Sequence, residues 1–290
     1  MSQALVGVIG GSGLYQMDAL QNVHEVHLST PFGNPSDHFM CGTVHGVAVA
    51  FLARHGRGHR LIPSEVPYRA NVHAFKQLGV KYLISMSAVG SLKEELAPLD
   101  MVLPDQFIDL TKQRESTFFG NGAVAHVSMA QPVCPALSDT LARALASLAN
   151  PPKLHRGGSY VCIEGPQFSS LAESQWFRSM NASVIGMTNM PEAKLAREAQ
   201  MAYATLAMVT DYDCWHPREA HVSADAAIQN LMKNAGNAQQ IAAQTIALLG
   251  QEQPVCDAHT ALAHAMVTQA DAMSAQVRER LAVLWQNTAQ

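Results

Sequence analysis

Short apolar runs alternate with amphipathic stretches along most of this chain, the spacing expected of β-strands followed by helices. The apolar runs predict strands at Leu5–Ile9, Val47–Ala53, Tyr82–Ala88, Met101–Pro104, Tyr160–Ile163, Ser183–Met187 and Ala202–Val209. Helical periodicity predicts helices at Tyr68–Leu78, Ala136–Ala149, Leu171–Met180, Glu192–Gln200 and Ala224–Leu249. Beyond Pro254, apolar residues recur at helical spacing from Asp257 to Gln286, which predicts one more helix. The alternation places the chain in the α/β class, with 1–253 as one domain and 254–290 as a C-terminal helical extension packed on it.

Most of the predicted strands end in a polar or glycine-rich turn. Ile9 leads to Gly10-Gly-Ser-Gly13, Ala53 to Arg54-His-Gly56 and Met86 to Ser87-Ala-Val-Gly90. Ile163 leads to Glu164-Gly-Pro-Gln-Phe-Ser-Ser170, Met187 to Thr188-Asn-Met-Pro-Glu192, and Val209 to Thr210-Asp-Tyr-Asp-Cys-Trp215. Ligands of open α/β sheets bind outside the carboxyl ends of the strands. The turns therefore predict one composite site along one edge of a sheet.

Composition narrows the partners. With 290 residues, 48% hydrophobic and only 14% charged, a single large core is affordable. Net charge is −4 and Lys and Arg form no blocks, so neither nucleic acid nor an anionic membrane is expected as a partner. Five widely spaced cysteines without a C-x-x-C pair fit reduced thiols in a cytoplasmic protein. The N-terminus lacks a basic region and reads as a first strand rather than a signal peptide, and no run of about 18 apolar residues predicts a membrane span.

The turns carry the chemistry. Gly10-Gly-Ser-Gly13 is a candidate anion loop in which glycine backbone N–H groups and the Ser12 hydroxyl turn toward phosphate, although a plain tight turn reads equally well. It lacks the third glycine of a dinucleotide fingerprint and the Gly-Lys-Ser/Thr of a Walker loop. Arg54 supplies a cation whose planar fork suits two phosphate oxygens, and His55 a second donor. His55 and His59 are four apart, but glycines between them spoil the helix that a zinc motif needs. Ser87, Ala88 and Thr188 add hydroxyl and backbone donors, residues that elsewhere serve as helix caps. Without clustered acids for a metal pair, such a pocket suits free phosphate as a nucleophile better than phosphoester cleavage. Phe168, in a polar turn, is placed to stack on a heteroaromatic base. Asp211 and Asp213 offer acceptors for a 6-amino group and a proton for a ring nitrogen.

Together, Gly10–Gly13, Ala53–Gly56, Ser87–Leu92, Asp105–Asp109, Ile163–Ser170, Ala172–Ser174, Met187–Glu192 and Thr210–Trp215 resemble the trimeric purine nucleoside phosphorylases, in consistent order from about residue 5 to 250. The resemblance implies a single-domain phosphorylase-like fold with a central mixed β-sheet flanked by helices, and a homotrimer. It implies phosphate contacts at Ser12, Arg54, His55, Ser87, Ala88 and Thr188. Substrate contacts are implied at Met187 and through Asp211, Tyr212 and Asp213, and substrate choice at Ser169 and Ala224. Both acids look like the 6-aminopurine branch, so the expected reaction is phosphorolysis of methylthioadenosine, with Asp211 as general acid. A 6-oxopurine nucleoside or methylthioinosine is the alternative. No cofactor is expected, inorganic phosphate being a co-substrate. Gln167, Asn189 and the small Ala224 and Ala227 depart from the family pattern, the last two implying a wider 5′-pocket.

Overall fold

The computed structural model describes residues 4–11, 17–218 and 223–285. In chain order the first half comprises β1 (Val6–Gly10), β2 (Leu20–Val26), β3 (Phe39–Val44), β4 (Val47–Ala53), α1 (Tyr68–Gln77), β5 (Tyr82–Ser91), β6 (Met101–Leu103) and β7 (Gln106–Asp109). Then come α2 (Pro135–Ala146), β8 (Leu154–Arg156), β9 (Ser159–Cys162), α3 (Leu171–Ser179), β10 (Val184–Gly186), α4 (Asn189–Glu198), β11 (Ala202–Asp211), α5 (Ala224–Glu252) and α6 (Ala275–Leu281).

All the strands join one mixed sheet, ordered β2-β3-β4-β1-β5-β10-β9-β7, with β11, β6 and β8 branching off β5. The fork at β5 organises the molecule. Its first half pairs in parallel with β1 on one side and β11 on the other, while its last residues pair antiparallel with β10. Such a strand is buried on both faces, which explains why β5 and β11 read as near-continuous apolar runs.

Alternate residues feed two cores. Leu83 and Tyr203 join Phe75 of α1 and Leu195 of α4, whereas Ile84 and Leu206 join Leu141 of α2 and Ile246 of α5. Helices thus cover both faces of the sheet. Helix α3 begins with a reciprocal cap in which Ser170 accepts from the Glu173 amide while the Glu173 side chain accepts from the Ser170 amide.

Two sequence expectations change. The strands β2, β3, β7 and β8 carry too weak a pattern to be read; β2 exposes most of its side chains at the sheet's edge. The helix expected from Asp257 to Gln286 is instead two 3₁₀ turns, Asp257–Thr260 and Ala270–Ala272, followed by the short α6 and a further 3₁₀ turn to Trp285. Gln286 lies outside the described residues. The break has a physical cause: the Val267 amide donates to the Val124 carbonyl at 2.9 Å, and Met266 bridges Ala125. Backbone pairing with another segment replaces the helical ladder. Leu262, Leu281 and Leu284 of this segment are buried in the same core as α1 and α4.

Candidate active site

A cavity of about 720 Å³ opens at the carboxyl ends of β1, β4, β5 and β11. Gly11, Arg54, His55, Ser87, Ala88 and Thr188 line it, as do Phe168, Ser169, Met187, Asp211 and Asp213. Four of the strand-end turns and the Gly11 end of the first therefore meet, while Ser87–Gly90, expected as a turn, instead continues β5 to Ser91 and lines the cavity from within the strand. Ser12 lies outside the described residues. Ala224 starts α5 but its side chain is likewise not described. Tyr212 does not line the cavity: its ring stacks on His216 at 4.6 Å and its hydroxyl donates to the Glu94 carbonyl.

At one end, Arg54 is buried to 3% exposure and its fork is already engaged. Nε and Nη2 donate to the two carboxylate oxygens of Glu192 at 2.8 and 3.0 Å, and Nη2 also donates to Ser85 Oγ at 2.7 Å. The two-pronged phosphate grip expected of Arg54 is thus corrected, because the carboxylate occupies it. Burial opposes the guanidinium's charge, but Glu192 outweighs burial and holds its pKa above the ordinary value.

His55 also differs from expectation. Its Nδ1 sits 2.8 Å from the Leu61 carbonyl and so carries the proton, which makes Nε2 an acceptor in the neutral ring. Burial, assisted by Arg54, pushes its pKa down to about 4, although the Leu61 carbonyl pulls the other way. The ring stacks on His59 at 4.2 Å. Nearby, the Ser87 and Thr188 hydroxyls lie 3.4 Å apart, joining the middle of β5 to the segment after β10.

At the other end, β11 carries an irregularity between Val209 and Asp211 that sets Asp211 opposite Gly90. A bulge of this kind re-aims a side chain. The partner position requires glycine, since a Cβ at residue 90 would stand 2.9 Å from Asp211 Oδ1. Thr210 Oγ1 donates to Asp211 Oδ2 at 2.7 Å and the Asp213 amide to Oδ1 at 2.8 Å. Both bonds favour the carboxylate, but burial dominates and raises the Asp211 pKa, with the charge of Asp213 adding to the rise. Asp213 is raised by burial too, against the pull of the Ser174 and Ser169 hydroxyls.

Between the two ends runs an apolar wall of Met86, Met208 and one face of α5; Ala227 of that helix was expected at the 5′-pocket, whereas Leu231 and Ala235, which follow it, were not. Their spacing of four was visible in the sequence, but it reads equally as core. Arg114 was missed as well. Only 1% exposed, it donates from Nη1 to the Met187 and Met190 carbonyls, both at 2.6 Å, and from Nη2 to the Glu164 carbonyl at 2.7 Å. It thereby pins two of the site's loops together. Gln167 is exposed and outside the cavity wall. Among the described residues no group of three or more His, Cys, Asp or Glu side chains is placed to hold a metal, and no helix is long and apolar enough to cross a membrane.

Comparison with known proteins is consistent along the whole chain. The family model of the phosphorylase superfamily matches residues 5–247. The S-methyl-5′-thioadenosine phosphorylase of Thermosynechococcus vestitus is 58% identical over 282 residues, 97% of this chain and 98% of that protein. The crystal structure of a methylthioadenosine phosphorylase from an antarctic soil metagenomic library superposes with a TM-score of 0.94 at 64% identity, covering 98% of this chain and 99% of that one. The Schistosoma mansoni methylthioadenosine phosphorylase in complex with adenine gives a TM-score of 0.81 at 35% identity, with 98% and 99% covered.

Proposed function

The chain belongs to the phosphorylase superfamily, and on that premise we propose that it cleaves the N-glycosidic bond of methylthioadenosine with phosphate, giving adenine and 5-methylthioribose-1-phosphate. The observation that carries this reading is the division of one cavity into three zones: donors around Arg54 and Ser87, a buried acidic pair at Asp211 and Asp213, and an apolar wall from α5.

Each zone has a task. The C1′–N9 bond breaks ahead of attack, so positive charge develops on the ribose, and phosphate held by Arg54, Ser87, Ala88 and Thr188 stabilises it and then captures C1′. His55, neutral across the working pH range, accepts a hydrogen bond there. Asp211, its pKa raised by burial, hands a proton to the purine's N7 as the base departs. Asp213 accepts from the 6-amino group, and Phe168, 44% exposed at the cavity's wall, stacks on the base. The apolar wall faces the 5′-methylthio group. Ser169 and Met187 border the base and the sugar. The same acidic pair disfavours the 6-oxopurine alternative.

Side-by-side release of free base from methylthioadenosine, adenosine, methylthioinosine and inosine, with and without phosphate, tests this. The two amino compounds should turn over faster, and only with phosphate; preference for the oxo compounds would overturn it. We assign the protein to a cytoplasmic homotrimer without resident cofactor. Sedimentation at the mass of a single chain would exclude the trimer.

A further inference from the structure

Arg54 has five N–H donors, and nearly all of them are spent inside the protein. Glu192 takes Nε and one of Nη2. Ser85 Oγ and the Ile9 carbonyl, at 2.7 and 3.3 Å, share the rest of Nη2, and the Met86 carbonyl takes one of Nη1 at 3.3 Å. A single Nη1–H remains. Glu192 itself is fully buried and is held from behind, since Tyr203 donates to its Oε1 at 2.9 Å. The Tyr203 hydroxyl in turn accepts from Asn189 Nδ2, also at 2.9 Å. The residue at 189 that departs from the family pattern is thus the outer link of a chain that runs Asn189, Tyr203, Glu192, Arg54.

We propose that Glu192 is a positioning residue for phosphate: it clamps Arg54 so that one defined N–H meets the anion, and it matches the cation's charge. This builds on the phosphorolysis reading. Thr188 stands immediately before α4, at its N-cap position, and Glu192 lies in its first turn, so the start of one helix carries a direct donor to the anion and the clamp of its cation. A free guanidinium at this depth has several rotamers; the clamped one has a single aim. With Glu192 bound to it, Arg54 adds direction to the phosphate end and little net charge.

A buried ion pair that merely joins β4 to α4 would show the same distances, so the test must separate position from stability. Inorganic phosphate is titrated calorimetrically into wild type, Glu192→Gln, Arg54→Ala and the double variant, with adenine titrated in parallel. Glu192→Gln should weaken phosphate about tenfold, with adenine affinity within about twofold of wild type. In the Arg54→Ala background the same change should alter phosphate affinity by less than about twofold, because Glu192 acts only through Arg54. Unchanged phosphate affinity in a destabilised Glu192→Gln, or an equal loss with and without Arg54, overturns the proposal. Should Glu192→Gln fail to fold, Tyr203→Phe removes only the hydroxyl behind the carboxylate and should weaken phosphate about threefold; no change there also overturns it. Wild-type phosphorolysis is assayed separately. Its absence would sink the proposed reaction, and the phosphate titrations would still decide the role of Glu192.

Discussion

Asp211 sits where two requirements conflict, and the outcome sets its chemistry. Two hydrogen bonds stabilise its carboxylate, while burial favours the neutral acid and prevails. A carboxyl with a raised pKa holds its proton to higher pH than an ordinary Asp does, the direction a proton donor requires. Replacing Asp211 by Ala should therefore lower kcat by at least about a hundredfold, with the circular dichroism spectrum unchanged; near-normal kcat would remove Asp211 from the mechanism. Residue types were largely legible in the sequence here, because Asp, Arg and hydroxyl side chains at strand ends announce a site. Their bonding was not. That Arg54 spends its fork on Glu192, 138 residues away, and that His55 donates to Leu61 depend on tertiary placement that no local pattern encodes.

Strands buried on both faces were the easiest elements to read, since β5 and β11 are near-continuously apolar. Edge strands such as β2 were not, because their side chains face water. Helix α5 was found and its Ala224 and Ala227 were expected at the 5′-pocket, but Leu231 and Ala235 were hidden, because they line the cavity with the same spacing that would bury them in a core. The Thr210 carbonyl accepts from Asn230 Nδ2 at 2.8 Å, so the helix is also moored to the bulge that aims Asp211. If this wall receives the methylthio group, Leu231→Asn should raise KM for methylthioadenosine about tenfold and that for adenosine far less. Equal increases for both would mean that the wall faces another part of the substrate.

The whole molecule ties its C-terminal segment into the core that α1 and α4 share, and a buried histidine marks the seam. His73 is 2% exposed between the rings of Phe32 and Phe118, 5.4 and 6.1 Å away. Burial lowers its pKa from 6.5 to about 4, with the Arg280 carbonyl and the Gln77 side chain pulling upward. The unfolded chain gains this proton near pH 6.5 while the native one resists it until about pH 4. Stability is consequently intact above pH 6.5 and declines as pH falls through that window. His55 behaves in the same sense. Thermal midpoints measured from pH 7 to 4 should fall, and His73→Phe should flatten part of the decline. An unaltered slope would place the acid sensitivity elsewhere.

The fork at β5 has a consequence for how new specificity arises on this scaffold. Ser87 at the proposed phosphate end and Gly90, which faces Asp211 at the proposed base end, are three residues apart on one strand, roughly 10 Å. A ladder of paired neighbours fixes that interval, so the strand works as a caliper with locked jaws. Loops and helix walls around it are free to accept a different tail on the sugar. On the proposed reading this interval sets the gap from phosphate to leaving base, and a one-residue insertion between these positions should abolish turnover instead of redirecting it.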